Sequence, residues 1–121
     1  MKIGKVSGNA LKRSVLRQIR NHNEIISGAG IGTDCAILTL ENTQTAAFSV
    51  NPVILYQTAQ ARLAVYKAVN NVAAAGAHPV GILVSVMLPE TCEEPELKAI
   101  MEEISSACAD LTIVIPGGHT A

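Results

Sequence analysis

The sequence predicts a single α/β domain in the order helix, strand, strand, helix, strand, helix, strand, with helices packed closely on sheet. Three observations predict it. Apolar residues recur at helical spacing in three segments, and short aliphatic runs fall between and after them. The length of 121 residues suits one domain. The hydrophobic 49% holds one Phe, two Tyr and no Trp, so the core must be built from Ala, Val, Ile and Leu. Such small side chains favour close packing of helix on sheet.

The elements follow in chain order. Leu11, Val15, Leu16 and Ile19 recur at helical spacing, with Lys and Arg between them, and predict an amphipathic helix over residues 9–20. Asn21, Asn23, Gly28, Gly30 and Gly32 interrupt it. Aliphatic runs at 35–40 and 45–50, joined by Glu41-Asn42-Thr43-Gln44, predict a hairpin closed off by Pro52. Residues 57–75 are the longest helical stretch, with Ala59, Leu63, Tyr66 and Val72 on or near one stripe. Gly76 and Pro79 supply its stop signal. The nearly continuous apolar run 80–88 predicts a strand buried on both faces. Leu97, Ile100, Met101, Ile104 and Cys108 trace a third helix, with Thr91 and Glu94 as its capping box. A last strand at 111–115 leads into a Pro116-Gly117-Gly118-His119-Thr120 loop, where the fold is expected to be interrupted.

A formal charge of −1 names no partner. Charge is nevertheless uneven: Lys2, Lys5, Lys12, Arg13, Arg17 and Arg20 make the first 20 residues basic, and Glu90, Glu93, Glu94, Glu96, Glu102 and Glu103 make the other end acidic. The basic stretch lacks aromatic residues for stacking on bases and reads as the solvated face of its helix. Neither a nucleic acid nor a membrane is expected as a partner. Three cysteines without metal or CxxC spacing, and no leader, predict reduced thiols in a cytoplasmic protein.

Three motifs carry candidate chemistry. The run Gly28-Ala29-Gly30-Ile31-Gly32-Thr33-Asp34 precedes a strand, which rules out a dinucleotide loop opening a helix. Its bare backbone N–H groups suit a phosphate, and a flexible turn is the alternative. Asn70-Asn71 sits inside a helix, where Asn is a poor former, so it reads either as a polar site or as a solvent-facing edge. Gly117-Gly118-His119-Thr120 follows a strand, where α/β sheets hold ligand loops, and a generic turn is again the alternative. His22 and His78 read as ordinary turn residues.

Taken together, Met1-Lys2-Ile3-Gly4-Lys5, Gly30-Ile31-Gly32-Thr33-Asp34-Cys35-Ala36, Asn51-Pro52, Asn70-Asn71-Val72-Ala73 with Gly76-Ala77-His78-Pro79, Leu88-Pro89-Glu90 and Gly117-Gly118-His119-Thr120 resemble the N-terminal domain of the aminoimidazole ribonucleotide (AIR) synthetase superfamily. The nearest likeness is to its hydrogenase-maturation-like, AIR-synthase-related branch. The resemblance implies a mixed four-stranded sheet with helices on one face, completed into a barrel by homodimerisation. It also implies ATP with Mg²⁺ on its phosphates. Phosphate-side residues would be Gly28, Gly30, Gly32, Asp34, Asn70, Asn71, Gly117, Gly118, His119 and Thr120. Metal positions would be Asp34, Asn51 and Asn71.

The chain departs from the family at those positions. Thr33, Asn51 and the second Asn of Asn70-Asn71 stand where acids are usual, and His119 replaces the commonest Asp. A carboxylate about 4 Å from a divalent ion, at an effective dielectric of about 20, supplies roughly 8 kcal/mol of gross attraction. Losing such charges predicts weak Mg²⁺–ATP binding or none. The family's C-terminal domain is expected on a separate domain or subunit, with the chain alone inactive as an enzyme. The alternative is a catalytically degenerate module for dimerisation or regulation.

Overall fold

A computed structural model describes residues 5–20 and 22–121; Met1 to Gly4 of the opening motif, with Lys2, and the helix-breaking Asn21 lie outside them. The chain divides into two compact units, Met1–Val50 and Asn51–Ala121. Mixed α+β structure fills both, but the strands differ from the single four-stranded sheet expected. Among the described residues there are five strands, three in an antiparallel sheet and two in a parallel one.

In the first unit, the Ser7 hydroxyl accepts from the Ala10 N–H and starts α1, Gly8–Ser14. The helix expected to reach residue 20 breaks at Val15 (φ −117°) and becomes a 3₁₀ turn, Leu16–Gln18. One seven-residue helix with Gly, Asn and Ser has little intrinsic stability. The break leaves Val15 and Ile19, which were expected on a buried stripe, 44% and 52% exposed. Strand β1, Ile25–Ser27, was not expected: two isoleucines beside Asn and Gly give no readable period. It pairs with β2, Ala36–Thr39, which in turn pairs with β3, Thr45–Phe48, from Ala36↔Phe48 to Thr39↔Thr45. The expected hairpin is therefore present. Its loop is a 3₁₀ turn in which Asn42 (φ 62°) and Thr43 (φ 63°) take left-handed backbone.

The second unit opens with a capping box, in which the Gln57 and Gln60 side chains each take the other residue's backbone N–H. A 3₁₀ turn, Thr58–Gln60, leads into α2, Ala61–Ala74. The expected stop is present: Gly76 takes φ +81°, and the Gly76 and Ala77 N–H groups donate to the Ala73 and Val72 carbonyls. Strand β4, Gly81–Val86, and α3, Glu94–Asp110, follow. The capping box of α3 is Glu93 with Glu96, two residues later than expected. That shift places Pro95, which has no N–H to satisfy, in the first turn.

Strand β5, Val114–Thr120, begins later and runs further than the expected 111–115. Leu111 and Thr112 (φ 56°) are used to end α3, with the Thr112 and Ile113 N–H groups donating to the Ala109 and Cys108 carbonyls. The expected loop 116–120 is strand, parallel to β4 in the register Gly81↔Val114, Leu83↔Gly117, Val84↔Gly118, Ser85↔His119 and Val86↔Thr120. Between the first two pairs β5 carries one residue more than β4, a bulge that contains Pro116. Proline is tolerated there because no ladder donor is required.

The core lies where α2 and α3 meet: Ala61, Val65, Ile104, Ala107 and Cys108, with Ile113 at the start of β5. Ile82, Val84 and Ile115 pack against it from the strands, and Arg62 Nε meets Glu103 Oε2 at 2.9 Å across the two helices. Only one face of the β4–β5 pair is covered. Leu83 is 78% exposed, so β4 is not the doubly buried strand its composition suggested. Among the described residues no helix is long and apolar enough to cross a membrane.

Gly118 is dictated by this pairing. A Cβ there would lie 1.9 Å from the Val84 carbonyl oxygen, whereas a Cβ on Gly117 would meet only Leu83 Cδ2 at 3.8 Å. Gly118→Ala is expected to cost about 3 kcal/mol in urea unfolding and Gly117→Ala less than about 1 kcal/mol. Equal losses would show that backbone crowding is not the reason for Gly118.

Candidate functional site

The glycine segment joins β1 to β2 in the first unit. The Thr33 N–H donates to the Gly30 carbonyl at 3.3 Å, and Gly32 between them takes φ +78°, so this glycine serves a turn. Ile31, Gly32, Thr33 and Asp34 are exposed, and Cys35 behind them is buried. The Ser49 hydroxyl donates to the Asp34 backbone carbonyl at 2.8 Å, tying the end of the loop to the residue after β3. The Asp34 side chain stands on the exposed stretch. Gly28 and Gly30 are half-buried.

In the second unit, two expected metal positions meet. Asn71, near the end of α2, donates through Nδ2 to Oδ1 of Asn51 at 3.3 Å, and both residues are half-buried. Asn70, its neighbour, turns to solvent. The helix supplies Asn71 at a fixed height, and the irregular stretch after β3 supplies Asn51. Two amides suit this spacing, since one offers a donor and the other an acceptor. Two carboxylates at the same distance would repel unless a cation lay between them.

The donor chemistry does not fit Mg²⁺, which takes hard oxygen ligands and usually one or two carboxylates. Among the described residues no group of three or more His, Cys, Asp or Glu side chains is placed to hold a metal ion.

The third motif lies at the carboxyl end of β5. Gly117, Gly118, His119 and Thr120 border a shallow cavity of about 280 Å³, floored by Val84, Val86, Met101 and Ile115. Their backbone is extended and paired with β4, so it is not the alternating conformation of a phosphate-cradling nest. His119 and Thr120 are exposed at the end of the strand, where a ligand can reach them. The apolar floor was not legible beforehand, because Met101 reaches it from α3 and no local pattern signals that.

Cys92 and Cys108 are poor nucleophiles here. Burial, then the Glu96 and Glu93 carboxylates, push the Cys92 thiol up, and burial does the same for Cys108. A raised thiol pKa means less thiolate at neutral pH, hence less reactivity.

Comparison with known proteins places these features in a family. A family model described as AIR synthase related protein, N-terminal domain, matches residues 32–121. No curated protein matches the chain.

The amide pair generates a quantitative expectation. A double-mutant cycle over Asn51→Ala and Asn71→Ala should give a coupling of about 1 kcal/mol in urea unfolding. Strict additivity of the two losses would show that the contact contributes nothing.

Proposed function

This chain belongs to the AIR synthase related family through the N-terminal domain, and we propose that it is the nucleotide-binding half of an ATP-dependent protein whose metal position has lost its charge. The observation that carries this reading is the Asn51–Asn71 hydrogen bond. Two positions where the resemblance expects acids around a cation are adjacent in space, as the resemblance requires, and hold neutral amides bonded to each other. Replacing anions with amides preserves shape and removes attraction for Mg²⁺.

The Gly117-Gly118-His119-Thr120 strand end supplies exposed polar groups for a phosphate, and the hydrogenase-maturation-like branch is the reading its His form favours. The glycine turn with Asp34 is a separate phosphate candidate. In the family, ATP activates a carbonyl or amide oxygen by phosphorylation. For this chain that chemistry needs an acceptor site, supplied by a separate C-terminal domain or subunit. A second reading, a degenerate module for dimerisation or regulation, is favoured by the same amide pair. A cytoplasmic setting fits Cys35, Cys92 and Cys108, which form no disulfide with one another.

Self-association belongs to both readings. Val80, Leu83, Met87 and Val114 are 73%, 78%, 75% and 59% exposed on or beside the strand pair. A monomer rarely leaves such side chains uncovered on a sheet. The reading assigns them to a homodimer in which sheets of two copies complete a barrel.

Two measurements test this. Calorimetry with Mg²⁺–ATP should find weak binding or none in the parent, and stronger Mg²⁺-dependent binding after Asn51→Asp with Asn71→Asp. Tight binding by the parent, with no gain in the double variant, would overturn the charge argument. Analytical ultracentrifugation at micromolar concentration should find a dimer that Leu83→Glu dissociates. A parent sedimenting as a 12.7 kDa monomer would remove the homodimer.

A further inference from the structure

The basic stretch at the start of the chain is explained by nothing above, and it lies before the residues 32–121 that the family model matches. Residues 5–20 hold Lys5, Lys12, Arg13, Arg17 and Arg20 and no acidic side chain. All five are exposed. The ion pairs found among the described residues are His22–Glu24, Arg62–Glu103 and Lys98–Glu102, and none involves these cations.

The sequence placed the cations on the solvated face of a helix whose aliphatic stripe was buried. The structure removes that premise. With the helix broken at Val15, three aliphatic residues share the exposure of the cations, Val6 at 46%, Val15 at 44% and Ile19 at 52%, while Leu11 and Leu16 are half-buried. Ile31, 61% exposed, reaches the same place, since its Cδ1 lies 3.6 Å from where a Cβ on Gly8 would stand.

We propose that residues 5–20, with Ile31, form a docking surface for an anionic phospholipid membrane. The two components have different tasks at a bilayer. Lys and Arg side chains are drawn to the negative surface, and exposed aliphatic side chains enter the boundary between headgroup and acyl chain. A nucleic acid would answer the charge but has no use for Val6, Val15 and Ile19. The first aromatic residue of the chain is Phe48, so this stretch offers no aromatic platform for a base. The surface is peripheral, and its strength follows both the charge and the aliphatic area.

Co-sedimentation of the whole chain with vesicles tests the proposal. One set is phosphatidylcholine alone and the other contains about one third phosphatidylserine. At low salt, binding to the charged set should exceed binding to the neutral set by about tenfold, and added salt should reduce it. Arg13→Glu with Arg17→Glu should bring binding down to the neutral level. Val15→Ser with Ile19→Ser should lower it severalfold at unchanged charge, with circular dichroism confirming that both variants are folded. Equal binding to the two vesicle sets overturns the proposal, as does a charge-reversed or serine variant that binds like the parent. Capture of a homopolymeric RNA without vesicle binding overturns it in favour of a nucleic-acid surface.

Discussion

Ala61 on α2 and Ala107 on α3 are both fully enclosed, and the rest of the second unit depends on how closely they let the two helices approach. Tyr66 packs at the edge of this cluster, but Val65 is the largest residue below 2% exposure, so the enclosed contact is made by small aliphatic side chains. Interiors are packed at the density of organic crystals, so each small side chain fixes a distance rather than leaving slack. That distance sets where Ile82, Val84 and Ile115 meet the helices, and hence where the strands lie. It also sets the height at which Asn71 faces Asn51. The Arg62–Glu103 pair spans the same crossing but is more than a third exposed, where ion pairs contribute little.

How much of this was legible in the sequence depended on whether the signal was local. Gly76 ends α2 as read, because a left-handed cap is a one-residue demand that glycine meets. The hairpin of β2 and β3 was legible for a similar reason, with two short aliphatic runs and a polar loop. The extent of α1 was not, since the sequence keeps a helical period through Val15 and Ile19 although both are left exposed. Likewise β1 is visible only through its partner, Leu38 and Ile37 of β2. Composition alone made β4 look buried on both faces, but burial is decided by what covers a strand.

The candidate site shows the same division. The residue types at Asn51, Asn71 and the 117–120 segment were picked out one motif at a time. That two of them touch is a long-range fact, set by the path of the irregular stretch after β3 and by the position of α2. Gly117 and Gly118 looked alike in sequence and differ in the fold: one has room for a side chain and the other has a carbonyl oxygen in the way. A double glycine therefore carries two separate causes. The glycine most easily mistaken for a ligand contact is the one required by strand pairing.

The extra residue in β5 acts as a built-in frameshift. Before it, odd-numbered Ile115 points at the helices and even-numbered Val114 points away. After it, parity is inverted, so Gly118 and Thr120 align with Val84 and Val86, while His119 aligns with Ser85 on the uncovered side. One strand thus reads in two phases, an aliphatic anchor upstream and a polar display downstream. Absorbing the bulge into a regular ladder from Gly81↔Val114 would merge the phases, setting Gly117 opposite Val84 and His119 opposite Val86, with the imidazole turned toward the helices. The register of this strand, as much as its composition, governs which side of the sheet carries the chemistry.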